Sequence, residues 1–452
     1  MAEGLPKTLR HFFPQFDRWL DEIPDTRFLP FVVYDRRFLL WWGLLLFVFK
    51  LRSRRQLDYD LRDPQSQVLS NVNRLASTHQ QTLPVHNTLD HFVGHMGWEP
   101  LTRLRRWMVQ RLIRMKVLDD LRLQGRLVVA VDGTGWLVFD RPHCPGCLVY
   151  QQGDAKSYRH MVLEAKLVGQ SGLALSVGTE FIENDPDRPT GVFKNDDQTK
   201  QDCELKALDR LATSLKKDFP QLKLLLSSDS LYGCGRAIQI AKDRGWSYVF
   251  TFKPGRTPAL WEEFQSLLGE CPQNTLELHD QDASRQRYRW VNGLPYQDSE
   301  GRSHVLNALV CEETRQGACT TFAWMTDLTI TRQNVAAIAT QGGRIRSKIE
   351  NQGFNVQKNS DLNLEHAYSM NLEKLKAYYL LLQIGHILLQ LLELGSVLRD
   401  VARRAGKTPR TLWGSLRNLS RRLLEGFRYL TLSDNAYDVA ESQKMQIRLS
   451  SP

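Results

Sequence analysis

An apolar strand that ends in a carboxylate constrains this chain more than any other feature, and it occurs twice. Arg126-Leu-Val-Val-Ala-Val-Asp132-Gly-Thr-Gly is a continuous apolar run, mostly β-branched, that stops at an aspartate. Such a run reads as a strand buried on both faces, the pattern of a sheet covered by helices. An aspartate at its end needs a partner, a proton or a cation, because an unpaired buried carboxylate is costly. Gly133 and Gly135 let the chain turn there, and a turn-initiating Asp in a hairpin is the plainer reading of one such site. Leu222-Lys-Leu-Leu-Leu-Ser-Ser-Asp229-Ser-Leu-Tyr232 repeats the pattern, with a helix over 236–244 and a strand over 247–253 behind it. Strand, aspartate, helix and strand make an α/β order, whose open sheets carry chemistry at the carboxyl ends of their strands. Two strand-borne aspartates are hard to explain as two independent turns.

A third carboxylate lies in Arg344-Ile-Arg346-Ser-Lys-Ile-Glu350-Asn-Gln-Gly-Phe-Asn-Val-Gln-Lys358-Asn. The pattern is helical, and Arg346 and Glu350, four residues apart, share a face. Alone, the pair is a common surface ion pair. Between these landmarks, residues 158–181 alternate as a hairpin that extends the sheet, and a loop from Glu183 to Asp202 gathers solvated acidic residues. Residues 255–330 read as a β-rich insertion. In it Arg285, Arg287 and Arg289 alternate with Gln286, Tyr288 and Trp290, either to grip a backbone and stack a base or as a solvated strand face.

His143-Cys144-Pro-Gly-Cys147 is one Cys-x-x-Cys knuckle without a second. Zinc needs four ligands, which His143, His160 or Cys203 can complete in space; the alternative is a turn with two buried thiols. His91 and His95 have the spacing of two ligands on a helix, but Phe92 stands where a zinc protease carries Glu, so ordinary histidines are expected.

The flanks are helical and basic. Residues 8–126 are punctuated into helices by Pro24, Pro30, Pro64 and Pro84, and the stretch 99–116 interleaves five arginines with an apolar side. A long buried helix is expected over 370–394. From Arg399 to Arg428 nine basic residues stand against two acidic ones, with Trp413, Leu416, Leu419, Leu423 and Phe427 between them. That suits a polyanion or a partner subunit. The twelve apolar residues 38–49 are too few for a membrane span, which takes about 20, so a buried helix and no membrane are expected. The net charge of +10 over 452 residues is a modest pointer to a polyanion. Seven scattered cysteines and no signal-like N-terminus point to a reducing, cytoplasmic setting.

Two strand aspartates and a helix glutamate can hold two divalent ions through hard oxygens, which suits Mg²⁺ or Mn²⁺. Paired ions activate a water or a 3′-hydroxyl for attack on a phosphodiester. At this point the chain resembles the bacterial insertion-sequence transposases with an RNase H-like DDE domain. The resemblance covers roughly 100–390 and rests on Val-Asp132-Gly-Thr, Ser-Asp229-Ser-Leu-Tyr232 and Arg346-Ser-Lys-Ile-Glu350. One group of that family carries a β-rich insertion before the Glu and a Tyr-x2-Arg-x3-Glu-x6-Lys signature. Here the Tyr position holds Gly343, the Lys position Gln357 with Lys358 next, and Leu231 stands where the second motif usually has Gly.

The resemblance implies an α/β fold: an RNase H-like mixed sheet with a β-rich insertion, flanked by N-terminal and C-terminal helical regions. It divides the chain into a helical DNA-binding region (1–125), catalytic core (126–254 and 331–394), insertion (255–330) and basic C-terminal helices (395–452). It implies Asp132, Asp229 and Glu350 as catalytic metal ligands for two Mg²⁺ or Mn²⁺ ions. DNA contacts would come from Arg346, Lys358, Tyr232 and Trp290, the last by stacking an extrahelical base. The implied activity is hydrolysis and strand transfer on double-stranded DNA by a homodimer or larger assembly at the nucleoid. A Mg²⁺-dependent nuclease without strand transfer, or a DNA-binding derivative without catalysis, are the alternatives.

Overall fold

The computed structural model describes residues 3–153, 155–185, 201–279 and 285–433, so most of the acidic loop before Asp202 and the end of the basic C-terminal region lie outside it. Two compact units make up the chain: Asp119–Gln352, and Met1–Leu118 together with Gly353–Pro452. This departs from the sequence-based division. The long helix after the third motif, expected within the catalytic core, groups instead with the N-terminal helices.

The first of these units is built on one eleven-stranded mixed sheet. Its strands are β1 (Arg122–Leu123), β2 (Arg126–Phe139), β3 (Leu148–Gln152), β4 (Ala155–Val168), β5 (Ala174–Ile182) and β6 (Leu224–Ser228). They continue with β7 (Ser247–Thr251), β8 (Thr275–His279), β9 (Arg285–Gln297), β10 (Ser303–Arg315) and β11 (Ala318–Thr326). The order is β3-β4-β2-β6-β7-β11-β10-β9-β8, with β1 beside β2 and β5 beside β4. β2, β6 and β7 run parallel at the centre, and every other pairing is antiparallel. Parallel neighbours need crossovers, and helices supply them. The helix Glu204–Asp218 leads into β6 and buries Ala207, Leu208, Leu211, Ala212 and Leu215, a stripe at helical spacing. Gly178 on β5 lets that helix approach closely, since any Cβ there would stand 2.8 Å from Leu211 and 3.0 Å from Leu215.

The β-rich stretch within 255–330 extends this same sheet. β11 pairs with β7 from Trp324↔Thr251 to Thr326↔Val249, and β10, β9 and β8 follow as a meander. The physical reason is the edge of β7, which would otherwise leave a row of open backbone groups beside a buried parallel core.

The segment that carries Arg346 and Glu350 lies on this sheet and is not a uniform α-helix. It is π-helical at Ile338–Gly343, 3-10 at Arg344–Arg346 and π-helical again from Ile349. Such irregular turns recur where a helix must aim side chains at a site. Two glycines set its closeness to the strands. A Cβ on Gly342 would stand 2.9 Å from Val249, and one on Gly343 would stand 2.3 Å from the Trp324 indole. Ser227 at the end of β6 also donates its hydroxyl to the Gly342 carbonyl. Trp324 leaves no space for a side chain at Gly343.

In the other unit, the helix Arg36–Val48 buries everything from Phe38 to Val48. The helix Leu372–Leu394 is long and apolar enough to cross a membrane, and 89% of its most apolar window is buried inside the protein. Gly43 lies 3.2 Å from Leu381, counted from the position of a would-be Cβ, and Gly385 2.9 Å from Phe47, so small residues let these helices pack closely. The basic helix Leu416–Tyr429 buries Leu419, Leu423 and Phe427 and turns Arg417, Arg421 and Arg422 outward. Asn71 holds its end by donating to the carbonyls of Phe427 and Leu430, both at 2.8 Å.

Gly343→Ala should cost roughly 1–3 kcal/mol, the usual range for overpacking, because an indole cannot swing away as a flexible chain end can. Urea unfolding of wild type and variant measures it; equal midpoints would mean that the segment does not seat on Trp324 as described.

Candidate active site

The parallel pairing of β2 with β6 brings the two strand aspartates together. The ladder runs from Leu127↔Leu224 to Ala130↔Ser227, and two residues beyond that pair each strand carries its aspartate. Neighbouring strands lie about 4.8 Å apart, so Asp132 and Asp229 stand side by side where β6 ends, while β2 runs on through Asp132 to Phe139 and the turn that Gly133 and Gly135 suggested does not form. Asp229 also caps the short 3-10 turn Ser230–Tyr232, accepting from the Leu231 amide at 2.8 Å. The residue at 231 is thus used through its backbone, and its side chain is not part of the cap.

Arg346 ties the third carboxylate to the first. Its Nη1 donates to Asp132 Oδ2 at 3.3 Å and to Glu350 Oε1 at 2.6 Å. The Asp132 side chain is 16% exposed and that of Glu350 50%. Burial pushes the Asp132 carboxyl up to about 7; Arg346 opposes this, and the negative charges of Glu350, Asp229 and Glu204 add to it. Asp132 is therefore the electrostatic neighbour of both Glu350, to which Arg346 bridges it, and Asp229 on the adjoining strand end.

Glu204 is the member that sequence reasoning missed. It opens the helix Glu204–Asp218, and its carboxylate lies over Gly133, where any Cβ would sit 2.3 Å from it. Tyr232, fully buried, donates its hydroxyl to Glu204 Oε2 at 2.8 Å. Burial raises the Glu204 carboxyl, Asp229 adds to that rise, and the Tyr232 hydrogen bond opposes it. A glutamate in the first turn of a helix ordinarily reads as a macrodipole partner, which hid it. The signal available in the sequence was Gly133, a residue without a side chain directly after the catalytic-type aspartate.

Other expected site residues lie elsewhere. Trp290 is 4% exposed within β9, so no ring face is offered to a base, and the expected stacking role does not fit. Tyr232 is buried with its hydroxyl committed to Glu204, so it is no DNA contact either. Arg285 and Arg289 on β9 pair in their own sheet, with Glu277 and Glu312, each at 2.8 Å. Lys358 belongs to the helical unit and pairs with Glu365 at 2.9 Å. Gln357 there is fully buried against Gln383 and His386, at 2.8 and 3.0 Å, an environment that suits an amide and not the signature lysine. His91 and His95 are exposed with their rings 4.6 Å apart. Cys144 and Cys147 gather with His143 and His160, and Cys203 is not in that group.

The raised Asp132 carboxyl has a pH consequence for the chain without divalent ions. Below pH 3.8 folded and unfolded states are both protonated at this group; between there and about 7 the folded state holds the extra proton, so stability falls as pH rises through that window. Asp132→Asn should therefore be more stable than wild type at pH 8 by roughly 4 kcal/mol at most, and by nothing from this source near pH 3.5. Denaturant curves at the two pH values measure it. A variant less stable than wild type at pH 8 would contradict the cost of keeping this buried carboxylate charged.

No family model matches the chain, and no curated protein does. Among solved structures it is similar to the piggyBac transposase in a synaptic complex with hairpin DNA, with a TM-score of 0.37 at 9% identity, over 98% of this chain and 85% of that one. An overlap that shallow assigns no function by itself, which leaves the site's own chemistry to carry the reading.

Proposed function

We propose that the chain is a DNA transposase that hydrolyses and transfers phosphodiester bonds with two divalent metal ions. One observation carries the reading: Arg346 bridges Asp132 and Glu350, and Asp229 enters beside Asp132 from the end of the parallel neighbour β6, so three carboxylates from distant parts of the chain act on one another. The central order β4-β2-β6-β7, with β4 antiparallel and the others parallel, supports the RNase H-like expectation for this unit.

The donor set fits hard cations. Every candidate ligand is a carboxylate oxygen, and burial, with the neighbouring carboxylates adding to it, pushes Asp132 up to about 7, a cost that a divalent ion relieves. Asp132, Asp229 and Glu350 would hold the ions, and Glu204, fixed by Tyr232, would support them from the Gly133 side. When bound, the ions supply an activated water or 3′-hydroxyl and offset charge on the leaving oxygen.

Arg346 keeps Asp132 and Glu350 together by charge and is then placed to meet the phosphate whose oxygens gain negative charge during attack. Ser227 and the glycine pair at 342–343 hold that arginine's segment against the sheet, so the geometry is set before substrate arrives. The outward Arg403, Arg404, Arg417, Arg421 and Arg422 supply a basic surface for duplex phosphates in the helical unit. Such a surface positions the duplex; it reads no sequence.

Loss of a residue that merely supports a metal ligand typically costs about 10–100-fold, so Asp132→Asn, Asp229→Asn and Glu350→Gln should each lower Mg²⁺-dependent cleavage of the element's end by more than about 100-fold. DNA affinity should persist. Glu204→Gln and Tyr232→Phe should fall within the roughly 10–100-fold range. Cleavage of end-labelled DNA measures all five, and a Glu350→Gln protein that cuts at the wild-type rate would remove the assignment. Joining of the cut 3′-hydroxyl end to target DNA separates a transposase from a nuclease.

A further inference from the structure

The knuckle after β2 folds onto β4 in a way the acidic site does not explain. Cys144 and Cys147 form a tight turn closed by the Cys147 amide on the Cys144 carbonyl, 3.3 Å. Asn184 braces it, donating its side-chain amide to the Cys147 carbonyl at 2.8 Å and its backbone amide to the Gly146 carbonyl at 3.0 Å. His160 arrives from β4, where it pairs with Leu137 of β2, and His143 stacks on Phe139 with ring centroids 4.5 Å apart. One ligand atom from each of His143, Cys144, Cys147 and His160 lies within 4.8 Å of all the others, and Cys147 and His160 are buried.

The spacings test the donor set against a particular ion. Zinc takes sulfur at about 2.3 Å and nitrogen at about 2.0–2.1 Å in tetrahedral sites; these lengths put sulfurs about 3.8 Å apart, sulfur and nitrogen about 3.6 Å, and nitrogens about 3.3 Å. The structure has Cys144 Sγ and Cys147 Sγ 3.7 Å apart, His160 Nε2 3.6 and 3.5 Å from the two sulfurs, and His160 Nε2 3.3 Å from His143 Nδ1. The sulfurs are too far apart for a disulfide, which needs about 2.05 Å. Four of the six edges thus match a zinc tetrahedron to within about 0.1 Å, and the two from His143 Nδ1 to the sulfurs stay within 4.8 Å.

We propose that this unit binds one zinc ion through Cys144, Cys147, His143 Nδ1 and His160 Nε2. With four protein ligands the site is closed, so the ion has no position for water or substrate and its role is structural. It clasps the loop between β2 and β3 onto β4, the strand hydrogen-bonded to the Asp132 strand from Phe139↔Tyr158 to Val129↔Leu167. The zinc therefore locks the register of the hairpin on which the first aspartate is carried. It is chemically distinct from the carboxylate cluster, which offers hard oxygens where this site offers two thiolates and two imidazoles.

The test uses the full chain, purified without an affinity tag that binds metal and titrated with Zn²⁺ or Co²⁺. Elemental analysis should find one zinc per chain. Co²⁺ should give tetrahedral ligand-field bands and a sulfur-to-cobalt charge-transfer band of two-thiolate intensity, which reads the donor set without any variant. Cys147→Ser and His160→Ala should weaken Zn²⁺ binding by more than about 100-fold, beyond the 10–100-fold typical of a supporting residue, and Cys203→Ser should leave it unchanged. The proposal is overturned by a chain that binds no stoichiometric zinc, by an octahedral or thiolate-free cobalt spectrum, or by zinc retained in Cys147→Ser.

Discussion

The site depends on the parallel pairing of two short apolar strands. Because β2 and β6 run in the same direction and in the register Leu127↔Leu224 to Ala130↔Ser227, their aspartates come together where β6 ends. Burial then makes the charge on Asp132 costly. Asp132 loses hydration, feels the charges of Asp229, Glu350 and Glu204, and is compensated in part by one guanidinium. A fold that keeps such a cluster forgoes stability at neutral pH, the pattern expected where a site is shaped for a ligand and not for the empty chain.

The rest of the sheet unit serves that arrangement. The helix Glu204–Asp218 provides the parallel crossover and, with its first residue, a fourth carboxylate over Gly133. The Arg346 segment lies close to β6 and β7 because glycines at 342 and 343 remove the side chains that would hold it off. The meander from β8 to β11 completes the sheet beyond β7 and supplies Trp324, the surface on which Gly343 rests. Local packing accounts for the residues at two of the family signature's positions: the Trp324 indole leaves room only for glycine at 343, and Gln357 belongs to a buried amide network with Gln383 and His386.

Much of this was legible in the sequence, for reasons that differ by residue. Asp132 and Asp229 stood out because a charge after an apolar run has few alternatives, although β2 runs on past Asp132 to Phe139 where Gly133 and Gly135 had suggested a turn. Arg346 and Glu350 stood out because a spacing of four survives even in a segment with π turns. Glu204 was not readable, since its position on a helix gives no hint of which strand the helix crosses. Trp290 was misplaced for a related reason: alternation on β9 separates the arginines from the aromatic residues without saying which face is covered, and the aromatic face is the buried one. The unity of the sheet was also hidden, because strand pairing between β7 and β11 is a long-range contact that leaves no local pattern. The ligands completing the cysteine knuckle were open among three candidates until β4 brought His160 to it.

The central claim is that Asp132, Asp229 and Glu350 are ligands of a shared divalent-metal site. The most direct measurement is anomalous diffraction from crystals of the full chain grown with Mn²⁺ and a DNA end. The account predicts manganese density bounded by the carboxylates of these three residues, with Arg346 turned from Asp132 toward phosphate. Manganese absent from this end of the sheet, or bound only by carboxylates elsewhere, would contradict it.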